Sequence, residues 1–312
     1  MNKKAKIYIA GHTGLVGSAL KRCLENAGYK NLVFRTSSEL DLRDQKTTED
    51  FFKKEKPEYV FDAAAKVGGI YANNTYRAEF IYDNLQIQNN IINFSWKYEI
   101  KKLLFLGSNC IYPKNCIQPM KEEYLLTGPV EETNEPYAIA KIAGIKMCDS
   151  YNRQYKTNFI SVIPATLFGP NDNFNPLNSH LVPALIKKFH EAKIKNEKEV
   201  VLWGTGTPRR EIMYVDDVAD VSIFLMEKYS LSNIINAGNG RDMSIKEIAK
   251  LIANVVGFEG NMEFDSKKLD GIKQKLLDST NIHKLGWRPK VNIVDGLKRT
   301  YKWYLKNIEK TH

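Results

Sequence analysis

The sequence predicts an α/β protein, a doubly wound parallel sheet followed by a smaller α/β C-terminal unit. Two observations predict it. Short, nearly unbroken apolar runs alternate with helical segments through the first half, the pattern of strands buried on both faces. The first of those runs, KIYIA, closes on a glycine-rich turn that opens a helix.

KIYIA is the first strand, and a helix is expected over 15–26. NLVFR is the second strand, followed by a helix over 47–54. YVFDAAA and KLLFLGS supply two further strands, a helix over 136–155 follows Pro136, and FISVIPA is the next strand. The stretch GPNDNFNPLNS, 169–179, is rich in Gly, Pro and Asn and predicts a long loop. Beyond it the elements shorten: helices over 180–193, 218–228, 245–256 and 294–307, with strands at VVLWG and REIMYV. A nucleotide-binding unit over 1–170 and a mainly substrate-binding unit over 171–312 are expected, with some later segments returning to the first.

Composition narrows the function classes. With 312 residues, 43% hydrophobic and 26% charged, the chain can bury a large core. It has no apolar run long enough to span a bilayer, and MNKKAK runs directly into the first strand, so a cytoplasmic location without a signal peptide is expected. Cys23, Cys110, Cys116 and Cys148 lack zinc-site spacing, so no metal or disulfide framework is expected. The net charge of +10 is spread along helices rather than clustered with aromatics, which argues against nucleic acid and for small anionic ligands.

Gly11, Gly14 and Gly17 let the backbone turn sharply and bring a helix N-terminus against a pyrophosphate, as in a Rossmann-type dinucleotide site. Arg35 ends the second strand where an acidic residue would grip an NAD ribose, and an arginine there suits the 2′-phosphate of NADPH. Asp41 and Leu42 follow at a distance suited to the adenine edge, and Ala63, Ala64 and Ala65 let a cofactor pass close to the backbone.

Ser108, Tyr137 and Lys141 form the candidate reductase set. Tyr137 and Lys141 are four residues apart and share a helix face. A lysine ammonium beside a tyrosine stabilises its phenolate, and Ser108 can hydrogen-bond a carbonyl being reduced. Read without further context, Cys110 is a small buried residue and His180 a helix cap.

GHTGLVG, AAAKVGGIYANNTYRAEFIYDN, LFLGSNCIYPK, NEPYAIAKIAGIKMCDSYNRQY, GPNDNF, NSHLVPALIKKFHEA and VDDVA resemble the GDP-L-fucose synthase family of extended short-chain dehydrogenase/reductases over nearly the whole chain. The resemblance implies reduction at C4 of a GDP-4-keto-6-deoxy sugar by NADPH after epimerisation at C3 and C5. It implies Cys110 as base and His180 as acid. It adds Thr13, Leu15, Val16, Pro164 and His180 to the cofactor contacts. It assigns Lys188, Trp203, Arg210 and Lys275 to the GDP group, and implies a homodimer built on helices near 85–98 and 136–155.

Asn109-Cys110 stands where related dehydratases carry an Asp-Glu pair, which excludes that elimination chemistry. Other positions depart from the fucose-synthase pattern: Thr13 in the glycine turn, Thr166 and Phe168 in IPATLFGP, and Ile272, Lys273 and Gln274 in DGIKQKLLD. These fall near the expected ligands and leave open a C4 reductase of a GDP-4-keto-heptose, with epimerisation by a separate enzyme. A cofactor-bound scaffold without turnover is a third reading, opposed by the complete Ser108, Tyr137 and Lys141 set.

Overall fold

The computed structural model describes residues 1–175, 178–268 and 270–308; positions 176 and 177 of the expected loop lie outside them. The first half follows the predicted alternation: β1 (Ile7–Ala10), α1 (Leu15–Asn26), β2 (Leu32–Val33), α2 (Gln45–Glu55), β3 (Tyr59–Asp62), α3 (Ile70–Thr75), α4 (Arg77–Lys97) and β4 (Lys102–Leu106). After a long irregular stretch come α5 (Glu135–Tyr155) and β5 (Phe159–Pro164). Pro136 lies in the first turn of α5, where its missing N–H costs no helical bond.

The second half contains β6 (Thr166–Phe168), α6 (Leu181–Ile194), β7 (Glu199–Trp203), β8 (Arg209–Arg210), β9 (Ile212–Tyr214) and α7 (Val215–Lys228). It continues with β10 (Ile235–Ala237), β11 (Met243–Ser244), α8 (Ile245–Val256), β12 (Asn261–Asp265), β13 (Gln274–Lys275), α9 (Thr280–Lys284) and α10 (Ile293–Asn307). The predicted REIMYV strand is divided between β8 and β9 because Glu211 turns inward. Its carboxylate is buried and accepts the backbone N–H groups of Gly240 at 2.7 Å and Leu277 at 2.9 Å.

Six parallel strands form the main sheet in the order β10-β5-β4-β3-β1-β2. Helices α2, α4 and α5 pack together on one face, and α1 and α7 pack together on the other. Tyr8 meets Phe51 and Phe52 of α2, with ring centroids 4.6 and 5.9 Å apart. Removing each large side chain of this core from water contributes about 1.5–3 kcal/mol.

The register aligns Ala10, Asp62, Phe105 and Ser161 across β1, β3, β4 and β5. A Cβ on Gly144 of α5 would lie 2.4 Å from the Phe105 ring, so this row faces α5. A second core unites Phe168, Val182, Phe189, Ile212, Ile248, Ile252 and Leu297 around α6, α8 and α10. Although β10, Leu277, Ile282 and Trp287 come late in the chain, they join the main sheet or its core.

Candidate active site

The C-terminal ends of β1, β3, β4 and β5 meet the N-terminal turns of α1 and α5, forming the crevice where doubly wound sheets bind ligands. The turn after β1 is tight: Gly11 has φ +76°, and a Cβ on Gly17 would lie 2.1 Å from the Gly11 carbonyl oxygen. Gly14 caps α1 without a side-chain bond, leaving N–H groups at that end for a phosphate. Leu15 and Val16 pack against the core within the first turn, while Thr13 is exposed.

Ala63 donates its N–H to the Ala10 carbonyl at 3.2 Å, bringing the Ala63–Ala65 stretch against the glycine turn. Pro164 is buried at the end of β5 opposite Ala237. Leu42 packs on the core, and the Asp41 carboxylate accepts from the Arg43 guanidinium, Nε at 2.9 Å and Nη2 at 2.8 Å.

Arg35 lies beyond β2 rather than within the longer predicted strand, because pairing with β1 ends at Val33. Its guanidinium donates to Glu55 at 2.8 Å while remaining partly open to solvent. The neighbouring His12 ring stacks on Phe34 at 4.7 Å, and the Lys21 ammonium lies 4.5 Å from the Phe34 ring. The Lys21 charge and the crowding of the ring hold His12 below the ordinary imidazole range, with crowding the larger effect. Lys21 and His12 were not singled out in the sequence; a cation on the outer face of α1 reads as an ordinary solvated charge.

The reductase set comes together at the ends of β4 and α5. Burial, followed by the neighbouring Cys110, raises the Tyr137 phenol well above its ordinary value, and Ser108 acts on it in the opposite direction. Lys141 is buried beneath Tyr137, with Nζ 5.9 Å from the tyrosine ring centroid and 4.6 Å from that of Phe105. It donates to the Leu106 carbonyl at 2.8 Å, and burial pulls it down to about 8. A cation there favours the phenolate form of a neighbouring tyrosine.

Cys110 joins the same group. The Ser108 side chain accepts the Cys110 N–H at 3.3 Å, fixing the short turn Asn109–Ile111. Its Sγ receives Asn134 Nδ2 at 3.3 Å and Lys275 Nζ at 3.7 Å. Asn134 precedes α5 in the NEPY motif and was missed as a site residue; the motif was the available signal.

His180 caps α6 and remains open to water although protein surrounds it. That crowding, followed by the charge of Lys275, lowers its imidazole. The loop carrying His180 is tied to the KVGG stretch, where Gly69 donates to Asn178 at 2.9 Å.

The expected GDP contacts divide into two groups. Pairing of Lys275 with Arg210 between β13 and β8 sets both cations beside Cys110. Lys188 instead bonds the Val201 carbonyl, and Trp203, 74% exposed, ends the same strand β7. Lys268 lies 5.5 Å above the Trp203 ring. An indole this exposed is available for stacking.

A parallel nucleotide-binding sheet carrying a Ser-Tyr-Lys set defines the class, and the chain belongs to the NAD dependent epimerase/dehydratase family, whose pattern matches residues 7–238. Within that class it is similar to GDP-L-fucose synthase 1 of Arabidopsis thaliana, 55% identical over 98% of this chain and 95% of the relative. It is also similar to the structure of a GDP-6-OMe-4-keto-L-xylo-heptose reductase from C. jejuni, at 42% identity and TM-score 0.92 over 98% and 99% of the two chains. A GDP-L-fucose synthetase from Naegleria fowleri bound to NADP gives TM-score 0.92 at 31% identity over 99% and 96%.

Proposed function

We propose that the protein reduces C4 of a GDP-4-keto-6-deoxy sugar with NADPH after epimerising C3 and C5, giving GDP-L-fucose or a close analogue. The observation that carries this reading is the convergence of Cys110, Ser108 and Tyr137 where the ends of β4 and α5 meet. A reductase needs Ser108, Tyr137 and Lys141; a thiol beside them supports a second task at carbons acidified by the ketone.

The glycine turn, the uncapped α1 end and Lys141 fit a dinucleotide. Arg35 and Lys21 support a choice of NADPH. NADPH, when bound, supplies the hydride. Ser108 and Tyr137 would hydrogen-bond the C4 oxygen and stabilise its negative charge while Cys110 removes a proton from C3 or C5. His180 would return a proton from the opposite face, and Tyr137 would then protonate the C4 oxygen during reduction. Arg210 and Lys275 would neutralise diphosphate charge near this site, with Trp203 packing on the nucleotide at its outer edge.

Incubation with NADPH and GDP-4-keto-6-deoxy-mannose in deuterated water tests the reading. GDP-L-fucose carrying deuterium at C3 and C5 is expected. NADPH consumption without deuterium would leave reduction alone, the outcome for a chain that relies on a separate epimerase. The similarity to a heptose reductase, together with Thr166, Phe168, Ile272, Lys273 and Gln274 near the expected ligands, supports a GDP-4-keto-heptose as the second substrate to assay.

We also propose a cytoplasmic homodimer formed by the outer faces of α4 and α5. Tyr82, Ile139 and Tyr155 are exposed on these helices, and Arg77, Ile81, Pro136 and Ile139 line a shallow groove there. Sedimentation as a monomer at working concentration would sink the dimer. The four free cysteines support a reducing compartment, and no helix among the described residues is long and apolar enough to cross a membrane.

A further inference from the structure

We infer that Asp62 is a positioning residue for the reduction: its buried carboxylate serves as the counter-ion of Lys141, keeping that ammonium charged beneath Tyr137. The inference rests on the proposed role of Lys141 in assisting Tyr137. Asp62 ends β3, one residue before the alanines of the cofactor crevice, and is fully buried. Register with Phe105 turns it toward α5, and Lys141 lies against that phenylalanine ring. Its Oδ1 accepts the Ala64 N–H at 3.3 Å, whereas Oδ2 is buried with no hydrogen-bond partner among the described residues.

A carboxylate left half-satisfied in a core is destabilising, and an apolar residue would pack there at lower cost. Stability therefore gives no reason for an acid at this position. Its electrostatic effect does give one. Burial raises Asp62 to about 6, opposed first by the Lys141 charge. Burial lowers Lys141 to about 8, opposed first by Asp62 and then by Cys148. Between those values both groups are charged, and each keeps the other so.

The surrounding elements bring few competing charges to this pair. From β1, the Tyr8 phenol is raised by burial and then by Asp62, with Arg35 acting on it in the opposite direction. From α5, burial raises the Cys148 thiol, with Ser161 acting on it in the opposite direction. From α4, Gln88 faces α5 as a neutral amide, donating Nε2 to the Ala140 carbonyl at 2.7 Å. Asp62 and Cys148 are the groups that could set a negative charge beside Lys141, and burial holds Cys148 as a neutral thiol, which leaves Asp62 as the anion.

The test uses full-length protein labelled with 13C at lysine Cε, and the Lys141 resonance is assigned by its loss in Lys141→Met. Asp62→Asn should move the Lys141 titration midpoint down by about one pH unit, a tenfold change in its protonation equilibrium. In parallel, the NADPH oxidation rate at saturating GDP-keto sugar should fall about fivefold at pH 8 and less than about twofold at pH 6.5. Asp62→Leu, which packs without polar atoms, should behave alike and serves if the asparagine variant folds poorly. An unmoved Lys141 midpoint overturns the inference, as does a rate loss equal at all pH values. If wild-type protein oxidises NADPH with neither GDP-keto sugar, the proposed function fails, and the titration still decides whether Asp62 controls Lys141.

Discussion

Lys275 Nζ lies 3.7 Å from Cys110 Sγ, across 165 residues of sequence. Lys275 is held there by the pairing of β13 with β8, and Glu211 fixes the following residue but one through the Leu277 N–H. A cation assigned by resemblance to the diphosphate therefore also touches the proposed base. Lys275→Met removes the cation that contacts Cys110 Sγ and should slow alkylation of that sulfur by iodoacetamide at pH 7. An unchanged alkylation rate would assign Lys275 to the diphosphate alone.

Tyr137→Phe removes the proposed proton donor while leaving the ring beside Lys141. Reduction should fall by about 10²–10⁴, the usual contribution of a positioned acid. Exchange at C3 and C5 should persist at a reduced rate, because Cys110 and His180 remain. Deuterium incorporation measured in the variant separates the two steps, and reduction at the wild-type rate would remove Tyr137 from the acid role.

Cys110→Ser should abolish solvent exchange at C3 and C5 while a substrate already epimerised is still reduced. The hydroxyl keeps the small volume but is a far weaker acid than the thiol, so little of it is ionised near neutrality. An unchanged rate and product from the unepimerised ketone would count against the base role and favour the reductase-only reading.

Three buried carboxyls set a pH trend in stability. Burial raises Asp62 to about 6, and Asp172 and Glu211 to about 7. Their unfolded values are lower, so between about pH 4 and 7 the unfolded chain has released protons that the folded chain retains. Stability contributed by these groups is complete below their unfolded values and is lost as pH rises through the folded ones. The melting temperature should therefore decline from about pH 5 to pH 8, and in Asp62→Asn the decline should be smaller. A melting temperature that rises steadily over that range would contradict the burial of these three acids.

Gly144→Ala would set a methyl against the Phe105 ring, 2.4 Å from its nearest atom. Overpacking of this kind costs about 1–3 kcal/mol. Because Phe105 supports Lys141, the variant should lose reductase activity along with stability. Full activity at unchanged melting temperature would show that the ring yields without cost.

Sequence by itself determined the alternation of β1 to β5 with helices, the glycine turn, and the shared face of Tyr137 and Lys141. These follow from period, from steric demands within a few residues and from helix geometry, all of which are local. Motif resemblance added Cys110, His180 and the GDP contacts. Tertiary structure alone decided the contacts of Cys110 with Lys275 and Asn134, the approach of Asp62 to Lys141 and the return of β10 to the main sheet. Strands of two or three residues such as β8, β10 and β13 carry too little periodicity to be read. A carboxylate at the end of an apolar run reveals its partner only when sheet register turns it toward a helix that begins 73 positions later, at Glu135.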